Sequence, residues 1–305
     1  MKTKAEAVTV AQKRRKKLTK FDVIAIIILA FFGFITAYPM YFCVIASFSD
    51  PTKVMLGDVI LLPKDITFDG YERMLQDETI WTGYMNTILY VGVGTFLSVL
   101  TTMMIAYPLS RKAFAGRKAV TVILLITMYF SGGMIPSYIL VGNLGLRDTR
   151  FYMMIAGLIS VYNVIVARSF LSMNIPQDLQ EAAAMDGCSP IRFFIQMVLP
   201  LSKAIMAVLM LYYGVGKWND YMTALIYLSD ESKFPLALVL KGILITTTSG
   251  LSYDTEDPML MMERMKMAES MKYGVMIVST LPIMCLYPFL QKYFVKGVMI
   301  GSVKE

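Results

Sequence analysis

Histidine is absent from all 305 residues, and only 17% of the chain is charged. Without an imidazole there is no His-ligated zinc, no Ser-His nucleophile pair and no histidine proton relay. Cysteine is scarce: Cys43, Cys188 and Cys285 lie far apart, two of them inside apolar runs. They read as small hydrophobes, without a disulfide framework or a metal site. A nucleotide-binding loop is missing as well. Gly216-Lys217 resembles the end of one, but Leu211 stands where the leading glycine belongs and Trp218 where Ser or Thr is required. Gly92-Val93-Gly94 lacks the third glycine of a dinucleotide fingerprint. The chain therefore cannot hydrolyse nucleotide itself, and any energy-driven work needs a motor on a separate subunit. The shortage of charge is the broadest exclusion. A soluble domain carries roughly 25% charged residues, so a chain that is 56% hydrophobic must turn most of its surface to lipid.

What is present is a series of long apolar runs. Eight basic residues precede residue 21, and Val23 to Ser47 then runs apolar. That run exceeds a signal-peptide core of about 7–15 residues and has no small-x-small site at its end. It is expected to stay as transmembrane helix 1 (22–48), kinked by Pro39, behind a cytoplasmic basic N-terminus (1–21). Residues 49–84 are polar and read as an external loop. Residues 85–295 read as a five-helix core, starting with helix 2 from about Tyr84 to Leu109. The basic turn RKAFAGRKA follows, then helix 3 from Val120, broken near Gly132, Gly133 and Pro136. Helix 4 spans Phe151 to about Leu171 and helix 5 Pro200 to Leu228; helix 6 spans Tyr273 to Phe294, bent at Pro282 and Pro288. Between the last two, 229–271 reads as a second external segment. Its apolar part, Phe234 to Ile245, is too short to span and reads as interfacial or re-entrant. A cytoplasmic tail occupies 296–305. The expected fold is thus an all-α, multi-pass integral protein of the cell membrane, with six transmembrane helices and both termini in the cytoplasm. Basic residues concentrate where this topology puts the cytoplasm: the N-terminus, the 111–118 turn, Arg168, Arg192, Lys203 and the tail. The net charge of +7 follows from that bias and does not call for nucleic acid.

One polar stretch interrupts the apolar pattern: EAAAMDGCSPIRFFIQMVLP, Glu181 to Pro200, within the loop 173–199. Its alanines favour a short helix after Pro176, Gly187 supplies the left-handed stop, and Ser189-Pro190 restarts the chain. The product is a helix-turn-helix at the membrane surface. It suits a docking element for a cytoplasmic partner, because its second helix runs into apolar sequence instead of presenting base-reading side chains.

Helix 5 holds Tyr212, Tyr213, Lys217, Trp218, Asn219, Asp220 and Tyr221. Charges at membrane depth point to function, with Lys217 and Asp220 spaced to neutralise each other. Two readings stand: an aromatic belt at the outer interface, or a translocation path in which aromatic faces and hydrogen-bonding groups meet a sugar. Asn219 and Asp220 favour the path, for which Tyr212, Tyr213, Trp218, Asn219 and Asp220 are the candidates. Asn163 reads as an interhelical hydrogen-bonding residue. The Met-rich stretch MLMMERMKMAESM reads as apolar packing rather than a copper site.

The central loop resembles the EAA loop of binding-protein-dependent ABC importer permeases: E-A-A, three residues, G, nine residues, I-x-L-P. Glu181, Ala182, Ala183, Gly187, Leu199 and Pro200 match at that spacing, with Met197 in place of isoleucine. LPKDITFDGYERML, Asn86, KWNDY and YFVKGVMIGSVKE extend the resemblance to the carbohydrate-importing branch, similar to the smaller maltose-type permease. FSGGMIPSYILVGNLGLRDT looks like the subgroup that handles polysaccharide-derived oligosaccharides. The resemblance implies a type I importer subunit working by alternating access, with no catalytic residue, metal or cofactor of its own; Mg-ATP is bound by partner subunits. It implies that Glu181, Ala182, Ala183, Asp186 and Gly187 form the coupling helix seated in an ATPase cleft. The tail after Lys296 would approach the ATPase dimer, and 229–271 would probe the solute-binding protein. In that system the sugar site lies mainly in the other permease. The implied partners are a second homologous permease, two ABC ATPase copies, an extracytoplasmic solute-binding protein and membrane lipid. Rival classes are a permease for a non-sugar solute, an ion-coupled secondary transporter and a membrane-embedded glycosyltransferase.

Overall fold

The structure, a computed structural model, describes residues 19–248, 259, 262, 266 and 268–285. The N-terminal basic cluster, part of the Met-rich stretch, Pro288 and the 296–305 tail lie outside the described residues. The chain is helical, with no strand among the described residues. Helix α1, Lys20–Ser47, opens with a reciprocal cap: Thr19 Oγ1 accepts from the Asp22 amide at 3.2 Å, and the Asp22 carboxylate accepts from the Thr19 amide at 2.8 Å. Pro39 lies inside α1, which continues through it. Short helices α2 (Pro51–Met55) and α3 (Asp69–Gln76) fold the first polar segment against the end of α1. The Tyr41 hydroxyl donates to the Leu61 carbonyl, fixing that segment to the span.

Helix α4, Glu78–Ser110, is the hub, and α7, α8, α12 and α14 all pack on it. It begins earlier than Tyr84 because the Asp77 carboxylate accepts from the Thr79 amide at 2.9 Å and caps it there. Two of the expected spans are broken. Helices α5 (Arg117–Tyr129) and α6 (Met134–Asn143) meet at 112°, across the Gly132-Gly133 break that the sequence announces. The expected helix from Phe151 to Leu171 is divided into α7 (Arg150–Ile155) and α8 (Val161–Asn174). Gly157 between them takes a φ of +65°, which stops the first piece, and Ser160 caps the second.

After α8 come α9 (Gln177–Met185), α10 (Pro190–Phe193), a π-helical turn (Phe194–Val198) and α11 (Leu199–Leu201). The wide turn ends two residues before Pro200, which lacks an N–H and would clash with the carbonyl four residues back in a regular helix. The α10–α11 stretch then bends by 80° into α12 (Lys203–Trp218). Helix 5 thus stops short of Leu228; α13 (Met222–Tyr227) and α14 (Leu236–Thr248) follow, with a last helical run at 268–285. The apolar piece expected at Phe234–Ile245 is α14, packed on α4.

Helices α1 and α4 are each long and apolar enough to cross a membrane, as are the two bent pairs if each counts as one span. The main core joins α4, α8 and α10 to α12 through Met103, Leu171, Phe193, Val198 and Leu209. Ala106, Ala167, Ser98, Thr102 and Ser202 are fully buried. Small side chains let backbones approach closely, which is how helices associate in lipid, where apolar transfer provides no drive.

Candidate functional site

The polar loop after α8 is built to hold one face outward. No residue of α9 is buried; Leu179 and Ala183 lean on the main core, while Glu181, Ala182, Asp186 and Gly187 are exposed. Met185 between them is 89% exposed. Gly187 has a φ of +75°, the Cys188 amide donates to the Ala183 carbonyl at 2.9 Å, and the Gly187 amide donates to Ala184 at 3.0 Å. Those two bonds form a Schellman stop, which needs a residue free to turn left-handed. Gln177 Nε2 donates to Glu181 Oε1 at 3.0 Å, orienting the carboxylate along the helix. On the far side Ser189 Oγ accepts from the Arg192 amide at 3.3 Å, and Pro190 opens α10. The result is a stiff, acidic, small-residue ridge with one methionine projecting from it.

The ridge is anchored by a residue that the sequence reading passed over as part of a basic turn. Arg111 is 8% exposed; its Nη1 donates to the Ile175 carbonyl at 3.0 Å and its Nη2 to Leu171 at 3.1 Å. Its Nε reaches Ser110 Oγ at 2.9 Å, and the guanidinium lies 5.3 Å from the Tyr107 ring centre. A planar fork thus caps the carbonyl end of α8 just before α9 begins. The one available signal was an arginine directly abutting an apolar run.

The helix 5 candidates do not share one surface. Tyr213 is buried: its hydroxyl accepts from the Ser160 amide at 3.0 Å and bonds Thr102 Oγ1 at 2.8 Å. Lys217 does not pair with Asp220. Its Nζ donates to the carbonyls of Met154 at 3.1 Å and Ala156 at 2.8 Å, capping α7 where helix 4 breaks. A Cβ on Gly94 would lie 2.7 Å from both Lys217 Cε and the Met154 carbonyl, so only glycine admits this approach. Asp220 Oδ1 accepts from the Thr223 amide at 3.0 Å, at the start of α13. Trp218 Nε1 donates to Ser279 at 3.1 Å, and its ring meets Tyr84 edge-on at 5.8 Å. Tyr221 lies under the Lys241 ammonium at 4.3 Å. Tyr212 and Asn219 are exposed, and Asn163 is buried.

At the other end of α4, Asn86 Nδ2 donates to the carbonyls of Ser232 at 2.9 Å and Phe234 at 3.1 Å. The Tyr90 hydroxyl donates to Lys233 at 2.8 Å, and Thr87 Oγ1 accepts from the Leu236 amide at 2.8 Å. Lys233 in turn bridges Asp148 at 3.1 Å and Asp230 at 3.2 Å. Asp148 Oδ1 accepts from the amides of Ser229 and Asp230, each at 3.1 Å. Those two backbone bonds, then Lys233, hold the Asp148 carboxyl below its ordinary range, while the bond to Asp148 raises Lys233. Among the described residues no His, Cys, Asp and Glu cluster could hold a metal.

No family model matches the chain. It is 37% identical over 284 residues to Protein LplC of Bacillus subtilis (strain 168), covering 93% of this chain and 95% of LplC. It is 34% identical to the polygalacturonan/rhamnogalacturonan transport system permease protein YtcP of the same organism, covering 93% and 98%. The galactooligosaccharides transport system permease protein GanQ, also from B. subtilis, is 30% identical, with 91% and 94% covered. Among solved structures, a bacterial ABC transporter involved in the import of the acidic polysaccharide alginate superposes with a TM-score of 0.80 at 31% identity. That match covers 90% of this chain and 96% of the other.

Proposed function

The chain belongs to the carbohydrate ABC transporter permeases, and on that premise we propose that it is one permease half of an ATP-driven oligosaccharide importer. It crosses the membrane six times, with both termini in the cytoplasm, and works by alternating access. Family members work with ATPase and binding-protein partners. The ridge of α9 is the coupling element here: Glu181, Ala182, Ala183, Asp186 and Gly187 seat in an ATPase subunit, of which two copies serve the complex. What carries this reading is a Schellman-closed helix with an exposed acidic face and no buried residue, fixed to the hub by Arg111. Such a helix transmits displacement and does no chemistry; Mg-ATP belongs to the partner. A second, homologous permease covers α1, whose apolar length is unburied within this chain. The segment 229–271 faces the extracytoplasmic solute-binding protein. The names of the relatives support a polysaccharide-derived oligosaccharide as cargo. Tyr212 and Asn219 face its path, and Tyr213, Trp218 and Asp220 hold the wall behind them.

Co-purification tests the coupling surface. Wild type should retain the ATPase, and Glu181→Lys should lose it while the permease stays folded. Transport by the chain alone in liposomes, without ATP, would overturn the reading.

A further inference from the structure

A second concave surface lies on the side of the hub that carries α9. Lys112, Arg117, Lys118 and Arg168 line a cavity of about 660 Å³ together with Phe114, Ala115, Thr121 and Val122. Arg168 Nη1 donates to Thr121 Oγ1 at 3.3 Å, which turns the guanidinium toward α5. None of the ion pairs among the described residues involves any of these four cations. Helix α5 also starts here, with no side-chain cap on Gly116 and no acidic residue in its first turn. Cations at a helix N-terminus add to the positive end of its dipole. An excess of arginine and lysine on one membrane face accounts for their number. It does not account for four of them converging on a cavity with no carboxylate.

The remaining walls separate a lipid from a free anion. No residue of α5 is buried, and Val122, Ile123 and Ile126 each leave more than half of their surface uncovered. An apolar strip thus continues from the basic cavity along the helix. A ligand that fits both parts has a phosphodiester at one end and acyl chains at the other. We propose that this cavity binds the headgroup of an anionic phospholipid, with the acyl chains laid along α5. Basic pockets between membrane helices suit such headgroups, and each cation near the surface strengthens binding about fivefold. The site rests on the function proposed above only for its leaflet, which is the cytoplasmic one if α9 is cytoplasmic.

The test uses the purified complex, delipidated in neutral detergent and titrated with phosphatidylglycerol, phosphatidylcholine or inorganic phosphate, with bound lipid read by native mass spectrometry. Wild type should bind phosphatidylglycerol and not phosphatidylcholine, and millimolar phosphate should leave the lipid in place. The exposed pair Lys112→Gln/Lys118→Gln should weaken retention roughly 25-fold, and Arg117→Gln about fivefold, with the melting temperature of the lipid-free protein unchanged. Equal retention by the double variant overturns the proposal. Displacement by phosphate makes the cavity a free-anion site, and lipid binding that appears only once the ATPase is stripped from the complex makes it part of a protein interface; either result also overturns it. ATPase retention is scored separately on Glu181→Lys, so a failure of the coupling reading leaves the lipid result standing.

Discussion

The two ends of α4 are held by different chemistry. At the α9 end a buried guanidinium forks onto the Leu171 and Ile175 carbonyls, beside Asn174 Nδ2, which donates to the Phe170 carbonyl at 2.9 Å. At the other end the work is divided among an amide, a phenol and a hydroxyl, backed by a half-buried ion-pair cluster around Lys233. One end turns on a single charged fork and the other spreads its bonds over several neutral groups. The difference matches what each end must do under the proposed function. The α9 end has to pass a push between two helices as one rigid joint, whereas a surface facing a binding protein tolerates partial loosening.

The largest effect is expected from Arg111→Ala. It leaves the Leu171 and Ile175 carbonyls buried without a charged donor, and such bonds are worth about 1.5–3 kcal/mol. Thermal unfolding of the purified complex should fall accordingly, with ATPase retention lost. Arg111→Lys should recover less than half, since an ammonium cannot fork. At the opposite end, Asn86→Ala removes two neutral bonds and should cost about 1–2 kcal/mol while sparing ATPase retention. If Asn86→Ala proved as damaging as Arg111→Ala, the contrast between the ends would collapse. Gly187→Ala forces a Cβ into the left-handed region at about 1–2 kcal/mol. It acts on an exposed loop, so the expected loss is roughly tenfold in ATPase affinity with little change in melting.

Asp148→Asn should have the smallest effect, and it carries a pH signature. The carboxyl is held below the ordinary aspartate range, so its stabilisation is present above that range and is lost as pH falls through the lowered value. Lys233 is raised above 10.5, so its share is present below that pH and is lost as pH rises through the raised value. The melting difference between wild type and Asp148→Asn should therefore stay flat from about pH 4 to 10 and shrink on either side. A difference that peaked near neutrality would assign the effect to another group.

Local signals were legible where one residue decides the backbone. Gly187 at φ +75°, Ser189-Pro190 at the restart and Gly132-Gly133 at the 112° break all sit where their own conformational preferences put them. The break in helix 4 was not legible. Gly157 alone is compatible with a continuous helix, and what stabilises the opening comes from distant residues: Lys217 on the Met154 and Ala156 carbonyls, and Tyr213 on the Ser160 amide. The same contacts explain why the polar run KWND stands out. Lys217, Trp218 and Asp220 are engaged with backbone groups of other turns, and a linear sequence does not show which carbonyls a break elsewhere sets free. Helix α14 was likewise visible as an apolar piece, while its docking through Thr87 and Leu236 required the pairing of two distant segments.

The π-helical turn at Phe194–Val198 settles a matter of angle. In a regular α-helix, residues five apart point about 140° away from each other. Phe193 and Val198 are five apart, yet both are buried in the same core cluster. The wide turn brings both onto one face, so it takes up a residue that would otherwise swing the preceding ridge around the helix axis. The direction in which Glu181 and Met185 point is therefore set by a count of residues as well as by bonds. A single deletion between Phe193 and Ser202 would swing the ridge around the helix axis without breaking any contact within it.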